Sequence, residues 1–406
     1  MSSIHGPDRE NQKRNMSRPD RICLITNRYP THPDDVASPF VRDFHLGLKE
    51  KGAEVSVFTP WYDSEKSECS HEVVRFPWRG GTKVVGALNP FNPREASQIL
   101  SFLREGRRQL LEHLGRTRPD RCLALWALPS GWLAQQAERE LGIPYSVWCL
   151  GSDIYVWAKK PLLRGITRRV LRGAEHLFAD GFDLKERVEK LSGRGCSFLP
   201  SMRRLPQISE EEVRLDPAKL NLLYLGRWEK EKGIDDLLRA LSLVRGKLPS
   251  LCLHLLGWGC FETKMRELIT KLGLDRQVKV VGRVSTQLVA SYLRAADCVV
   301  IPSKSDSIPL VFSEALQMGT PLIVTDVGDM GYMTRKFGLG KVVQPGNAKK
   351  LARAIVEFAS EKKDYSINVS EAVALLDIDR AVDDFLRITG QGVRACSPVF
   401  PSLSQR

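Results

Sequence analysis

The chain has 406 residues, 42% hydrophobic and 27% charged, enough apolar residues to bury the cores of two or three domains. That balance excludes a disordered chain, and no long apolar run is free of charge, so no segment reads as a membrane-spanning helix. The 61 basic residues outnumber the 48 acidic ones for a net charge of +13, which points to anionic partners; both halves share the excess, which excludes a basic tail as its source.

Residues 1–18 are polar, lack an apolar leader and read as a disordered tail, so secretion is not expected. Short apolar runs then alternate with helical patterns. In the first half the predicted strands are 21–26, 55–60, 122–127, 145–150 and 176–180, with helical stretches such as FVRDFHLGLKEKG (40–52) between them. The stretch 201–217, SMRRLPQISEEEVRLDP, breaks the rhythm and reads as a linker from about 203 to 217. The rhythm resumes with predicted strands at 220–226, 251–257, 278–282, 298–303 and 321–326. Helices follow Pro345, and 370–389 suggests more helix. Continuous apolar strands joined by helices imply parallel sheets covered on both faces, hence an α/β protein of two doubly wound domains.

This divides the chain into a tail (1–18), a first domain (19–202), a second (203–375), a helix at 376–395 that can return to the first, and a frayed end (396–406). The nine cysteines include no C-x-x-C pair, and Cys23, Cys122, Cys149, Cys252 and Cys298 sit in strand-like runs. Such thiols suit a reducing cytoplasm, and no Cys/His cluster has zinc-ligand spacing, so no metal is expected.

In open parallel sheets ligands gather at the carboxyl ends of strands, so those loops carry the chemistry. After strand 220–226 comes GRWEKEKG, where Arg227 and Lys232 project from one loop and suit a diphosphate; a solvated basic loop would read the same way. The next two strands end at Gly257 in GWGC and at Gly282-Arg283. The richest stretch is PSKSDSIPLVFSEALQMGTPLIVTDVGD (302–329), a strand end, a polar loop and a helix opening near Pro309. Backbone N–H groups around Leu310 and Val311 form an anion site, and Asp306 and Glu314 bring carboxylates that suit sugar hydroxyls. The plainer alternative is that Asp306 and Ser307 cap the helix and Glu314 faces solvent. Of the acidic pairs, Asp34-Asp35 and Asp235-Asp236, the second opens a predicted helix and reads as dipole-stabilising surface.

The spacing Asp306-x7-Glu314 with Gly319-Thr320-Pro321 resembles the E-x7-E motif of retaining glycosyltransferases of the GT-B fold, family 4. GRWEKEKGIDDLLRA, LLGWGCFETKMRELITKLGLDRQVKVVGRV and DCVVIPS are similar to other blocks of that family, as are the opening strand–loop–helix and LGSDI (150–154); together they cover roughly 21–345. The resemblance implies two Rossmann-like domains facing across a cleft, the first on the acceptor side and the second binding the nucleotide-sugar. Arg227 and Lys232 would hold the diphosphate, Glu314 the ribose, Asp306 the transferred sugar, and the backbone of Leu310 and Val311 the distal phosphate. The base would lie near Gly257 and Arg283, with Asp153 and Ser152 lining the acceptor side. Three positions depart from the family: Asp306 replaces glutamate, Leu150 replaces the histidine before GSD, and Ala37-Ser38 replaces a Gly-Gly pair.

The expected function is retaining, metal-independent transfer of a sugar from a nucleoside-diphosphate sugar (UDP or GDP type) to a hydroxyl of a saccharide or lipid-linked acceptor. It would serve polysaccharide or glycolipid synthesis. A sugar-nucleotide epimerase and a non-catalytic nucleotide-binding relative of the same fold are the alternatives. Nucleic acid is not an expected partner, because aromatic residues do not interleave with the basic ones. Segment 157–173, WAKKPLLRGITRRVLRG, carries six basic and no acidic residues with Trp157, Leu162, Leu163, Ile166, Val170 and Leu171. It could either hold an anionic membrane or pack on its own sheet. The location expected is cytoplasmic, with room for peripheral attachment to the inner face of the cell membrane.

Overall fold

Fully buried apolar runs set the architecture. In the first half the chain forms β1 (Arg21–Ile25), α1 (Pro39–Glu50), β2 (Glu54–Pro60), β3 (Val73–Phe76), α2 (Pro93–Thr117), β4 (Arg121–Leu125) and α3 (Ser130–Leu141). It continues through β5 (Tyr145–Cys149), α4 (Ser152–Tyr155), α5 (Pro161–Gly173), β6 (Leu177–Ala179), α6 (Phe182–Ser192) and β7 (Ser197–Phe198). The second half forms β8 (Leu220–Leu225), α7 (Ile234–Val244), β9 (Leu251–Leu256), α8 (Glu262–Lys271), β10 (Val278–Gly282) and α9 (Thr286–Ala295). After these come β11 (Cys298–Ile301), α10 (Leu310–Gln317), β12 (Leu322–Thr325), α11 (Met330–Phe337), β13 (Gly340–Val343) and α12 (Ala348–Glu361). Two short helices close it, α13 (Ser370–Leu375) and α14 (Ile378–Gly390). The computed structural model describes residues 18–32, 35, 38–62, 72–80, 85–89, 91–206, 213–361 and 367–390. The expected tails at 1–17 and 396–406, residues 391–395, Asp34 and Ala37 lie outside the described residues.

The strands make two parallel sheets, ordered β3-β2-β1-β4-β5-β6-β7 and β10-β9-β8-β11-β12-β13. Each is doubly wound, with strand order reversing beside its first strand. Every residue of β5 and β9 is buried, as strands covered on both faces require. The five strand cysteines are all at 2% exposure or less, and Cys23 pairs in register with Cys122 across β1 and β4.

The two domains are interlocked. Phe182, at the start of α6, and Met202, at the end of the first domain, are buried in the core of the second domain with Ile308 and Phe312. In the other direction α14 packs on the first domain, where Ile378, Val382 and Phe385 join Phe44, Trp148 and Phe178. A Cβ on Gly47 of α1 would stand 2.8 Å from Val382, so the missing side chain lets the two helices close up. The helical stretch expected at 370–389 is two helices, divided near the expected boundary at 375–376. Asp377 breaks it, accepting from the Arg380 backbone at 2.9 Å as an N-cap for α14, and the chain crosses back at that break.

Candidate active site

The second sheet reverses order between β8 and β11, and the loops after these two strands meet there. Gly233 makes the meeting possible: its φ is +70°, and a Cβ would fall 1.9 Å from the Pro302 carbonyl. The Lys304 amide donates to the Glu231 carbonyl at 2.7 Å, clipping the loops together. Across this junction Lys232 Nζ donates to both carboxylate oxygens of Asp306, at 2.7 and 2.9 Å, with both side chains largely buried. Arg227 leans outward instead; its side chain is 62% exposed and pairs with Glu229 at 2.9 Å. The two cations expected to act alike therefore differ, one fixed and sheltered, the other solvated.

Asp306 does not cap the helix that follows. α10 begins after Pro309, which occupies the N-cap position, and no side chain caps it. With no side-chain cap, the first-turn amides of Leu310 and Val311, a few residues along the chain from Asp306, keep their partial positive charge. Glu314 does not face solvent either. It is 3% exposed, and its Oε1 lies 2.5 Å from Nε of Arg203, itself 6% exposed. Gln317 holds the linker on the same helix, donating to the Arg203 carbonyl at 2.9 Å and accepting from the Leu205 amide at 3.0 Å. Its neighbour Arg204 faces the first domain, pairing with Glu50 of α1 and Asp379 of α14.

Farther along the sheet edge the strand ends are laced together. Trp228 N–H donates to the Trp258 carbonyl at 2.7 Å, and Gly257 N–H to the Gly282 carbonyl at 2.8 Å. A Cβ on Gly257 (φ +132°) would strike the Gly226 carbonyl at 1.9 Å, so only glycine fits there. Arg283 is exposed and its guanidinium lies 4.7 Å from the Trp258 ring centroid.

Two expectations need correction. Asp153 does not line the cleft: it is fully buried, and its carboxylate accepts from the backbone of Ala127 at 2.8 Å and Leu150 at 3.4 Å. Burial pushes its carboxyl above the usual range. Its partners make it a brace between the loops after β4 and β5; only Ser152 beside it is exposed. Asp235 and Asp236 are not surface residues but are buried in the first turn of α7, where Lys304 neutralises both at 2.8 and 3.1 Å. In 157–173, α5 spends most of its apolar side on its own sheet: Val170 and Leu171 are core residues, and Leu163, Ile166 and Trp157 pack against them. Leu162 stays 78% exposed, and all six basic residues are exposed.

At the departures, Ser38 sits in the left-handed region, φ 56° and ψ 49°, a conformation glycine adopts freely. Leu150 is half-buried against the first-domain core.

The structure also places residues that no local motif announces. Asp183 N–H donates to both oxygens of Asp329, at 3.3 and 3.2 Å, joining the amino end of α6 to the second domain. Asp180, beside it, is buried and accepts from Ser201 Oγ at 2.9 Å; burial pushes its carboxyl up to about 7. Arg203 pairs with a glutamate 111 positions away. The only sequence signal for it is the arginine pair inside a linker.

Two interlocked doubly wound domains, with the carboxyl ends of their sheets meeting at an uncapped helix and a fixed lysine, define a GT-B glycosyltransferase fold. Family models agree: the chain matches "Glycosyl transferase 4-like domain" over residues 37–194 and "Glycosyl transferases group 1" over 207–372. The protein belongs to the group 1 glycosyltransferases.

TuaC of Bacillus subtilis (strain 168), named as a teichuronic acid biosynthesis glycosyltransferase, is 30% identical over 257 residues, 60% of this chain and 62% of the relative. D-inositol 3-phosphate glycosyltransferase of Rhodococcus erythropolis is 34% identical over 148 residues, 35% of this chain and 34% of the relative. The match thus spans less than two thirds of either relative. Among solved structures, sucrose-phosphate synthase of Thermosynechococcus elongatus superposes with a TM-score of 0.67 at 21% identity, covering 90% of this chain and 94% of that one. HepE of Anabaena in complex with UDP-glucose gives 0.67 at 14% identity, covering 90% and 99%. These likenesses show the fold.

Proposed function

We propose that the chain transfers a sugar from a nucleoside-diphosphate sugar to a hydroxyl of a saccharide or lipid-linked acceptor, with retention and without a metal ion. The observation that carries this reading is the Lys232–Asp306 pair at the switch point, a few residues along the chain from the open amino end of α10. Glycosyl transfer separates charge: the nucleoside diphosphate departs as an anion while the sugar ring gains positive character. Lys232 and the first-turn amides of Leu310 and Val311 are fixed donors aimed where that anion would form, a task a metal ion performs in other enzymes. A donor phosphate would draw Lys232 from Asp306, leaving the carboxylate to face the sugar. Glu314, oriented by Arg203, is the group for the ribose hydroxyls. Retention rests on the family resemblance, and the glycosyltransferase names of the relatives support the reaction class.

A second reading concerns where the acceptor is met. Among the described residues, Lys159, Lys160, Arg164, Arg168 and Arg169 make no ion pair, and Leu162 projects from the same helix. α5 is thereby suited to an anionic membrane surface, held by charge more than by apolar insertion.

The test of the transfer reading is release of nucleoside diphosphate from a panel of UDP-, GDP- and ADP-sugars by the purified full chain, with and without EDTA. Turnover of one donor that survives EDTA supports it. Activity abolished by EDTA and restored by a divalent ion would overturn metal independence, and no turnover of any donor would overturn the enzyme reading.

A further inference from the structure

We infer that Gly181, with Asp180 beside it, is a positioning residue for Asp306: the end of β6 in the first domain seats the second-domain loop that carries that carboxylate. The inference rests on the donor reading above. It goes beyond that reading by assigning a role to first-domain residues that act through Asp306 rather than on the donor.

The first ground is steric. A Cβ on Gly181 would stand 2.3 Å from Ser307 Oγ and 2.6 Å from Asp329 Oδ2, both on the other domain. Ser307 and Asp329 are themselves buried, so neither side chain has solvent to swing into. The Gly181 backbone, at φ −156° and ψ 159°, is extended and open to any residue. Backbone conformation therefore does not call for glycine here; the contact between domains does.

The second ground is that the same loop is pressed from its other side. A Cβ on Gly328 would fall 2.4 Å from the carbonyl oxygens of both Asp306 and Ser307, and the Asp329 amide donates to the Ser307 carbonyl at 3.4 Å. Asp306-Ser307 thus lies between two glycines, one from each domain, with no room for a methyl group on either side.

The third ground is the order of the contacts. Asp180 Oδ2 accepts from Ser201, while its Oδ1 and the buried Ser307 Oγ have no hydrogen-bond partner among the described residues. One is an acceptor and the other a donor, and the Ser307 hydroxyl favours the charged form of Asp180. Phe182 shares a core with Ile308, and the Asp183 amide donates to Asp329. Residues 180–183 meet 307, 308 and 329 in turn, which is a seat and not a single touch.

The consequence separates the two partners of the candidate site. Lys232 is carried by the second domain alone, whereas the loop of Asp306 is set by both. Disturbing the seat should misplace the carboxylate and leave the phosphate-side cation where it is. Misplacement of a reacting group by about 1 Å is worth about a hundredfold in rate.

The experiment compares wild type, Gly181→Ala, Ser307→Ala and the double variant. It uses the donor that turns over in the panel above, and its nucleoside diphosphate for equilibrium titration. Gly181→Ala should lower kcat by about ten- to a hundredfold while binding the nucleoside diphosphate within about threefold of wild type. Ser307→Ala removes the closer of the two obstructing atoms, and Ser307 Cβ lies 3.7 Å from the added methyl position, an ordinary contact. The double variant should therefore recover kcat toward the level of Ser307→Ala, and should fold even where Gly181→Ala does not. Gly195→Ala, where a Cβ meets nothing within 4 Å, should behave as wild type. Wild-type kcat in Gly181→Ala would overturn the inference and leave the donor reading standing. So would a double variant no better than Gly181→Ala, or equal losses of kcat and nucleotide affinity. Failure of wild type to turn over any donor would overturn the donor reading and this inference together.

Discussion

Arg203 and Glu314 form a buried ion pair at 2.5 Å that joins the interdomain linker to the helix at the candidate donor site. Arg204, the next residue, pairs outward with Glu50 and Asp379 of the first-domain assembly. Consecutive arginines thus tie one linker to both domains. Removing one partner of a buried pair leaves an uncompensated charge. Arg203→Ala is expected to destabilise the fold by about 3–5 kcal/mol, whereas Arg203→Met with Glu314→Met should recover most of that loss. Urea denaturation of the two variants checks it; equal stability of Arg203→Ala and wild type would show that the pair is not maintained in solution.

The two carboxylates of the motif, Glu314 and Asp306, should separate binding from chemistry. Glu314→Gln should raise KM for the donor more than it lowers kcat, because the ribose does not change during transfer. Asp306→Asn should lower kcat, since a contact that strengthens with charge on the sugar is lost. Asp306→Glu should also lower it: both Asp306 oxygens already meet Lys232, and a longer side chain displaces that geometry. Steady-state kinetics decide, and Asp306→Asn with unaltered kcat would remove Asp306 from the chemistry.

Asp180 makes stability depend on pH. Its carboxyl is raised from an ordinary 3.8 to about 7, by burial first, with the neighbouring Asp153 and Asp329 adding to it. Between those values the folded protein holds a proton that the unfolded chain has released, so stability falls as pH rises from about 4 to 7 and stays lowered above. Asp180→Asn should flatten this slope and be more stable than wild type at pH 8, since Asn can still accept from Ser201. Urea midpoints across pH read it out; parallel pH profiles for the two proteins would contradict it.

The basic face of α5 should make the chain co-sediment with anionic vesicles and not with neutral ones, and salt should weaken the association. Lys159→Glu with Lys160→Glu and Arg164→Glu should abolish it without changing turnover of a soluble acceptor. Sedimentation independent of lipid charge would remove the membrane reading.

Much of this was legible from buried strands and their loops. The runs that became β5 and β9 are largely apolar and show no polar alternation because both faces are covered, and that pattern survives in one dimension. β3, β7 and β13 escaped notice because strands of two to four residues at a sheet edge carry little pattern. Lys232 and Asp306 could be named from the loops they occupy, but their pairing needs the contact of two loops 74 residues apart. Asp153 was misplaced because a carboxylate in a polar turn resembles a site residue, whereas its burial depends on backbone amides from a neighbouring loop.

The most direct test is equilibrium titration of wild type and Lys232→Ala with UDP, GDP and ADP in the presence of EDTA. Wild type should bind one of them without metal, and Lys232→Ala should bind it about ten- to a hundredfold more weakly, the loss of a charge-assisted hydrogen bond to phosphate. Undiminished binding by Lys232→Ala, or no binding by wild type until a divalent ion is added, would contradict a donor site built on fixed cations at the switch point.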